Sequence, residues 1–287
     1  MKKFKIKSFC KINLTLKVLK KLRNDYHSIE SLVTFCNIYD VISISKTKAL
    51  KDKISFSGKF KNGINKKSNT ITKVLYFLRK RHFLRKQCFK INIQKNIPHG
   101  SGLGGGSSNA ASLLKFINSN MRLKLNKFIM YKIANQVGFD TSLILEKKNT
   151  LITNNKNKIL RLKQKFGLNI LIVYPNIICS TKKIYENNRK FDFSKTKIHF
   201  NAISKKKLIF VLKKGKNDLE ETVTKLYPEV KKVINFVKIQ NGCYFSRITG
   251  SGSACIGIFS SMQTAVFTQK LIKLKFPKYW CVVSKTI

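Results

Sequence analysis

The chain has 287 residues, 43% of them hydrophobic, which is enough to bury a core in one or two domains and excludes wholesale disorder. Its 59 lysines and arginines against 12 acidic residues give a formal net charge of +47. The basic residues are spread along the whole length beside many isoleucines, asparagines and phenylalanines, all with A/T-rich codons. Composition bias therefore explains the charge better than a nucleic-acid surface, which needs a clustered patch.

Neither a membrane span nor a metal or disulfide framework is expected. No apolar run approaches the ~20 residues of a membrane-spanning helix, and the basic start lacks the apolar stretch of a signal peptide. These features predict a cytoplasmic protein. The seven cysteines are odd in number and scattered, form no C-x-x-C pair, and have only four histidines as co-ligands, so no metal site is predicted.

The first element is a predicted strand over residues 4–18. Apolar side chains occupy all its even positions except Ser8, which leaves Lys11, Asn13 and Thr15 together on the opposite face. From periodicity alone, Lys11 is one more solvated lysine. A turn follows, and then Tyr26 and His27, a pair that by itself usually marks only the start of a strand.

Short strands are predicted at 41–45 and 54–60, and a helix follows Asn69. Ile71, Val74, Leu75 and Leu78 have the i, i+3, i+4, i+7 spacing of an amphipathic helix. Asn69 or Thr70 could cap its first turn.

The most informative stretch is residues 98–114, Pro-His-Gly-Ser-Gly-Leu-Gly-Gly-Gly-Ser-Ser-Asn-Ala-Ala-Ser-Leu-Leu. Before it, apolar residues alternate as in a strand at Phe89, Ile91 and Ile93. After it, they have helical spacing at Ala110, Leu113, Leu114 and Ile117. A strand, a glycine-rich turn and a helix in this order favour anion binding, because glycines bring backbone N–H groups and the helix N-terminus close to a phosphate.

Two common phosphate loops fit this stretch poorly. The Walker pattern needs a lysine near its end, and none lies in this turn. The dinucleotide pattern matches at Gly100, Gly102 and Gly105, but no carboxylate occurs between Asp52 and Asp140 to bind a ribose. A glycine-rich turn without a ligand is the remaining alternative.

Asn126 is predicted to cap a second helix, which ends at Gly138, and Asp140 follows in Phe-Asp-Thr-Ser. From the residues alone, Asp140 is equally well explained as a helix cap. Further along, a polar stretch at 146–166 contains the predicted domain boundary, near residue 155.

The second half begins with a buried strand from Leu168. A helix that contains Thr181 and Tyr185 follows, and an amphipathic helix opens at residues 217–220, Asn-Asp-Leu-Glu. Residues 247–257, Arg-Ile-Thr-Gly-Ser-Gly-Ser-Ala-Cys-Ile-Gly, form a second glycine turn, for which a simple hairpin is the alternative.

These motifs, in this order, resemble the GHMP kinases over essentially the whole chain. Pro-x-Gly-x-Gly-Leu-Gly-Gly-Gly-Ser-Ser-x-Ala-Ala is similar to their ATP loop, and residues 11–14, Lys-Ile-Asn-Leu, are similar to their first strand. The long loop is most similar to the members that phosphorylate the 2-hydroxyl of a cytidine-diphospho-methylerythritol in non-mevalonate isoprenoid synthesis. The resemblance therefore implies an ATP-dependent phosphotransferase acting on a small-molecule alcohol.

The implied fold is α+β with two domains: residues 1–155 form an ATP-binding domain like domain 2 of ribosomal protein S5, and residues 156–287 form a ferredoxin-like domain. The implied cofactors are ATP and Mg²⁺ carried by the nucleotide. The small-molecule substrate is the only expected partner; nucleic acid and membrane are not expected, and a homodimer is left open.

The resemblance also implies roles for individual residues. Asp140 would be the catalytic base, and Lys11 would orient it with an opposite charge. The implied nucleotide contacts are Asn69, Pro98, His99, Gly100, Ser101, Gly102, Leu103, Gly104, Gly105, Gly106, Ser107 and Ser108. The implied substrate contacts are Asn13, Tyr26, His27, Thr181 and Tyr185. For Tyr185, ordinary helix packing explains the residue equally well.

The chain departs from the family pattern at two places. Asp25 replaces a glycine before Tyr26, and residues 139–142 read Phe-Asp-Thr-Ser where the family has Ala-Asp-Val-Pro. Two other interpretations stay open: a GHMP kinase with a different small-molecule substrate, and a basic nucleic-acid-binding protein.

Overall fold

The computed structural model describes residues 2–22, 27–153, 158–192, 200 and 203–287. The chain divides into two compact units: unit 1 comprises residues 1–11, 38–99 and 104–147, and unit 2 comprises residues 12–37, 100–103 and 148–287. Two strands, β1 (Lys3–Asn13) and β3 (His27–Thr47), contribute to both units. The domain boundary near residue 155 stays a prediction.

Unit 1 combines strands with four helices. Strand β4 (Lys53–Ser57) pairs in parallel with β5 (Cys88–Gln94), which pairs antiparallel with the second half of β3. The helices, which pack against one another, are α1 (Thr70–Lys80), α2 (Gly105–Asn120), α3 (Lys127–Val137) and α4 (Phe139–Ile144). The apolar stripes predicted for α1 and α2 are fully buried, because the periodic residues supply the apolar faces of both helices.

Unit 2 contains the first part of β3 and a separate antiparallel sheet. Strand β2 (Lys17–Lys21) pairs with β3, which also pairs with β6 (Thr150–Ile152), and β7 (Ile159–Arg161) follows β6. The separate sheet consists of β8 (Asn169–Tyr174), β9 (Cys243–Ile248), β10 (Cys255–Phe259) and β11 (Trp280–Lys285). Its strand order is β11-β8-β10-β9.

Among the described residues of unit 2, five helices accompany these strands: α5 (Thr181–Glu186), α6 (Lys205–Lys214), α7 (Glu220–Leu226), α8 (Pro228–Lys238) and α9 (Met262–Lys275). Helices α8 and α9 pack on the separate sheet, and their apolar residues share one core with its strands. No helix among the described residues is long and apolar enough to cross a bilayer.

The strand predicted over residues 4–18 is corrected in two respects. It is interrupted, because the Leu16 N–H donates to the Lys216 carbonyl at 2.9 Å and the Asp218 N–H donates to the Leu16 carbonyl at 2.9 Å. Lys11 and Asn13 are also buried, although alternation predicted a solvated face for them. The short strand predicted at 41–45 is part of the much longer β3, and the strand predicted at 54–60 ends at Ser57.

Candidate active site

In unit 1, the glycine loop ends at the N-terminus of α2. Gly104 is the N-cap residue with a φ of +65°, and no side chain caps this helix. A Cβ on Gly104 would lie 2.6 Å from Lys11 Cγ, so a larger residue would displace that lysine. The first-turn N–H groups of a helix have no partner inside it and lie at the positive end of its dipole. This end of α2 can therefore bind an anion.

In unit 2, the first part of the loop packs directly against the second glycine turn. Gly102 has a φ of +88°, and a Cβ there would overlap the carbonyl oxygen of Thr249. A Cβ on Gly252 would overlap the backbone of Ser101, and the Ala254 N–H donates to the Ser101 carbonyl at 3.0 Å. The two turns predicted from sequence thus meet backbone to backbone, a contact that only glycines allow.

The two serines that follow the loop differ in their surroundings. The Ser108 hydroxyl donates to the Phe9 carbonyl at 2.6 Å, and its N–H donates to the Gly104 carbonyl at 2.8 Å. Ser108 is fully buried by these contacts, whereas Ser107 keeps part of its surface exposed. Ser107 is therefore the serine of the pair that is accessible to a ligand.

Several predicted nucleotide contacts also have structural partners. Asn69 caps α1, because its Oδ1 accepts the N–H groups of Ile71 and Thr72 at 2.9 and 3.1 Å. Its Nδ2 donates to two backbone carbonyls of the preceding loop. His99 Nε2 lies 2.8 Å from the Asn62 carbonyl oxygen, and Pro98 and Leu103 are buried. A nucleotide role for these residues stays a prediction.

Lys11 and Asp140, chosen as the catalytic pair, form an ion pair in unit 1. Lys11 Nζ lies 3.3 Å from Asp140 Oδ2, and the side chains are 5% and 40% exposed, respectively. Asp140 is in the first turn of α4, where a negative charge is favoured by the helix dipole. The arrangement presents an accessible carboxylate held against a buried ammonium.

The predicted substrate residues of unit 2 have the following surroundings. Asn13 Nδ2 donates to Ser31 Oγ at 2.8 Å, and the Asn13 N–H donates to Thr249 Oγ1 at 2.8 Å. The rings of His27 and Tyr185 lie 4.8 Å apart between centroids, and Thr181 Oγ1 is 3.0 Å from Ser251 Oγ. Tyr26 lies outside the described residues.

One polar cluster beside the second glycine turn was not predicted. Asn217 Nδ2 donates to the Gly250 carbonyl at 2.9 Å, and Glu220 accepts the Ile248 N–H at 2.9 Å. Arg247 donates to the Leu14 carbonyl at 3.1 Å. Burial lowers the pKa of Arg247 to about 10 and raises that of Glu220. Residues 217–220, Asn-Asp-Leu-Glu, were visible in the sequence as the start of a helix. The sequence did not reveal that Asn217 and Glu220 bind the backbone of the second glycine turn and the strand before it.

The comparisons with known proteins identify the family of the chain. The family described as "GHMP kinases N terminal domain" matches residues 69–144, and "GHMP kinases C terminal" matches residues 205–272. The chain belongs to the GHMP kinase family and is an ATP-dependent kinase with a two-domain α+β architecture, which confirms the predicted fold class and type of reaction.

The curated relatives are more specific. A 4-diphosphocytidyl-2-C-methyl-D-erythritol kinase of Pelagibacter ubique is 38% identical, with 100% of both chains covered. One of Caldanaerobacter subterraneus is 31% identical over 99% of this chain and 97% of its own.

Solved structures share the fold at low identity. A crystal structure of 4-(cytidine 5'-diphospho)-2C-methyl-D-erythritol kinase matches with a TM-score of 0.73 at 21% identity, covering 98% of this chain and 99% of its own. Homoserine kinase from Cytophaga hutchinsonii matches with a TM-score of 0.72 at 16% identity, covering 100% and 95%. Since members with different substrates share this fold, the structural likeness establishes the fold alone.

Proposed function

We propose that the chain transfers the γ-phosphoryl group of ATP to the 2-hydroxyl of 4-diphosphocytidyl-2-C-methyl-D-erythritol, a step of non-mevalonate isoprenoid synthesis. The observation that carries the proposal is the full-length match to a kinase of that name at 38% identity. The Lys11–Asp140 ion pair and the glycine loop before α2 supply the chemistry that such a transfer needs.

In the proposed reaction, the substrate hydroxyl oxygen attacks the γ-phosphorus. The bond from that phosphorus to the bridging oxygen breaks, and ADP leaves. Asp140 accepts the hydroxyl proton, and Lys11 orients the carboxylate. Its 40% exposed side chain makes Asp140 accessible to a substrate hydroxyl. The N-terminus of α2 and the Ser107 hydroxyl bind the phosphates.

The cytidine end of the substrate is assigned to unit 2. The rings of Tyr185 and His27 lie 4.8 Å apart between centroids, and both residues are partly exposed. Aromatic rings of this kind can stack on a planar base, and the exposed Thr181 adds a hydroxyl. Tyr26, beside His27 in the chain, is proposed as the second aromatic contact. Asn13 is assigned to the substrate through its position on the strand after Lys11.

Mg²⁺ is proposed to arrive with the nucleotide. In the described part of the chain, no group of three or more His, Cys, Asp or Glu side chains could hold a metal ion. Mg²⁺ keeps several waters in its coordination shell and binds proteins mainly through substrate phosphates. The ion would neutralise charge on the β- and γ-phosphates, and the Ser107 hydroxyl is the proposed protein contact.

The test is ADP release by the purified protein with Mg-ATP and each of four alcohols: the cytidine-diphospho-methylerythritol, homoserine, mevalonate and galactose. We expect turnover with the first only, and loss of that turnover in Asp140→Asn, which excludes a contaminating kinase. Turnover with another alcohol would contradict the substrate assignment. Absence of turnover, together with RNA binding that weakens steeply with salt, would support a nucleic-acid-binding protein instead.

Two further proposals concern the cell and the assembly. A cytoplasmic location is proposed, and fractionation of cells that express the protein tests it. A homodimer is tested by sedimentation at several protein concentrations, since a dimer dissociates on dilution.

A further inference from the structure

Unit 1 buries an ion pair that the proposed reaction does not use. Asp40 lies on the core-facing side of β3 with Ile42 and Ile44, and Lys95 continues the buried positions of β5 after Ile93. The side chains of Lys95 and Asp40 are 2% and 0% exposed, and they are in direct contact. Their positions follow from strand register, since the neighbouring Val41 pairs with Gln94.

Asp40 holds the backbone that leads into the glycine loop. Its Oδ1 accepts the N–H groups of Asn96 and Ile97 at 2.7 and 2.8 Å, and its Oδ2 accepts from Lys95 Nζ. The Lys95 N–H donates to the Ser57 carbonyl at 2.7 Å. One carboxylate therefore binds three consecutive residues directly before Pro98.

Lys95 reaches from this strand end to the start of α2. A Cβ on Gly105, the first residue of α2, would lie 3.2 Å from Lys95 Nζ and 3.0 Å from Ile97 Cγ2. Residues 98–104 connect Ile97 to Gly105. The loop therefore begins after a residue that is hydrogen-bonded to Asp40 and ends at a residue that packs against Lys95. Burial lowers the pKa of Lys95, and the Asp40 charge opposes that shift.

Stability alone does not explain such a pair. A protein is often as stable, or more stable, when a buried ion pair is replaced by apolar residues of similar size. We propose that Asp40 and Lys95 are positioning residues for ATP, which hold the two ends of the glycine loop in the geometry that binds the triphosphate. The proposal rests on the ATP-binding part of the proposed function and is independent of the identity of the phosphate acceptor.

The test compares Asp40→Asn and the double variant Asp40→Asn/Lys95→Met with wild type. The double variant leaves no unpaired buried charge, so it should fold even where the single variant does not. We expect ADP affinity to fall and the KM for ATP to rise about tenfold or more in both variants. The reason is that the backbone N–H groups of the glycine loop would be displaced from the positions in which they bind phosphate. The KM of the phosphate acceptor should be unchanged.

Asp52→Asn is the matched control. Asp52 also pairs with a cation, Arg79, at 2.6 and 2.9 Å, and it accepts the Phe89 N–H at 2.8 Å, at the far end of β5 from the loop. We expect this variant to lose thermal stability without losing ADP affinity.

Wild-type ADP affinity in the folded double variant would overturn the proposal. An equal loss of ADP affinity in Asp52→Asn would also overturn it, since the effect would then be general. If wild type binds ADP but does not phosphorylate the cytidine substrate, the proposed function fails while the ADP measurements still decide the role of Asp40 and Lys95.

Discussion

Lys11 and Asp140 are 129 positions apart in the chain, yet the Lys11 ammonium lies 3.3 Å from the Asp140 carboxylate. The ammonium is buried and the carboxylate is partly exposed. The positive charge of Lys11 therefore interacts with a carboxylate that a substrate can reach. Gly104 packs against the stem of the same lysine. The glycine loop and the proposed base are thus coupled through one side chain.

Asp140→Asn removes the proposed base while keeping the shape of the side chain. We expect kcat to fall by about 10²–10⁴-fold with little change in the KM for ATP, because the lost step is proton transfer. Steady-state ADP release measures both constants. Glu146→Gln is the control, since Glu146 also carries an ion pair, to Lys127 at 3.0 Å. A kcat near wild type in Asp140→Asn would remove Asp140 from this role.

Gly104→Ala should lower kcat and stability together. Alanine at a φ of +65° is strained by about 1–2 kcal/mol, and its Cβ would also displace Lys11. Gly167→Ala is the control, because Gly167 has a φ of +58° but its nearest neighbour, Lys285 Cε, is 3.8 Å away. We expect the melting temperature to fall in both variants, further in Gly104→Ala because of the added clash, and kcat to fall in Gly104→Ala only. Equal kcat in both would contradict the coupling.

Tyr185→Ala should affect the cytidine substrate and spare ATP. Loss of one aromatic–base contact costs about 1–3 kcal/mol, so we expect the KM for the cytidine substrate to rise about tenfold or more. Phe267→Ala, which truncates an exposed aromatic residue of α9, is the control. An unchanged KM in Tyr185→Ala would show that Tyr185 serves only in packing against His27.

Thr141→Val restores the residue type of the family beside Asp140. The Thr141 hydroxyl is buried and has no hydrogen-bond partner in the described part of the chain. A methyl group of the same shape avoids that desolvation cost, so we expect the free energy of unfolding to rise by about 1–3 kcal/mol. Denaturant unfolding measures it. Lower stability in the valine variant would mean that the hydroxyl has a partner, such as an ordered water.

Local patterns were sufficient for the helices and the glycine turns. The buried stripes of α1 and α2 follow from apolar spacing alone, and Asn69 and Asn126 cap the helices that they precede. Gly100, Gly102 and Gly104 all have a positive φ, as a glycine-rich turn predicts. Such features depend on interactions within a few residues, and therefore a single sequence contains them.

Tertiary structure decided which polar residues are used together. Strand alternation suggested solvent for Lys11, whereas packing buries it against Asp140, and no local pattern connects two residues so far apart. Asp40 and Lys95 each continue a buried strand face, but only the pairing of β3 with β5 brings the charges together. Ion pairs, glycine contacts and buried hydroxyls depend on which distant segments meet, which the order of residues alone does not reveal.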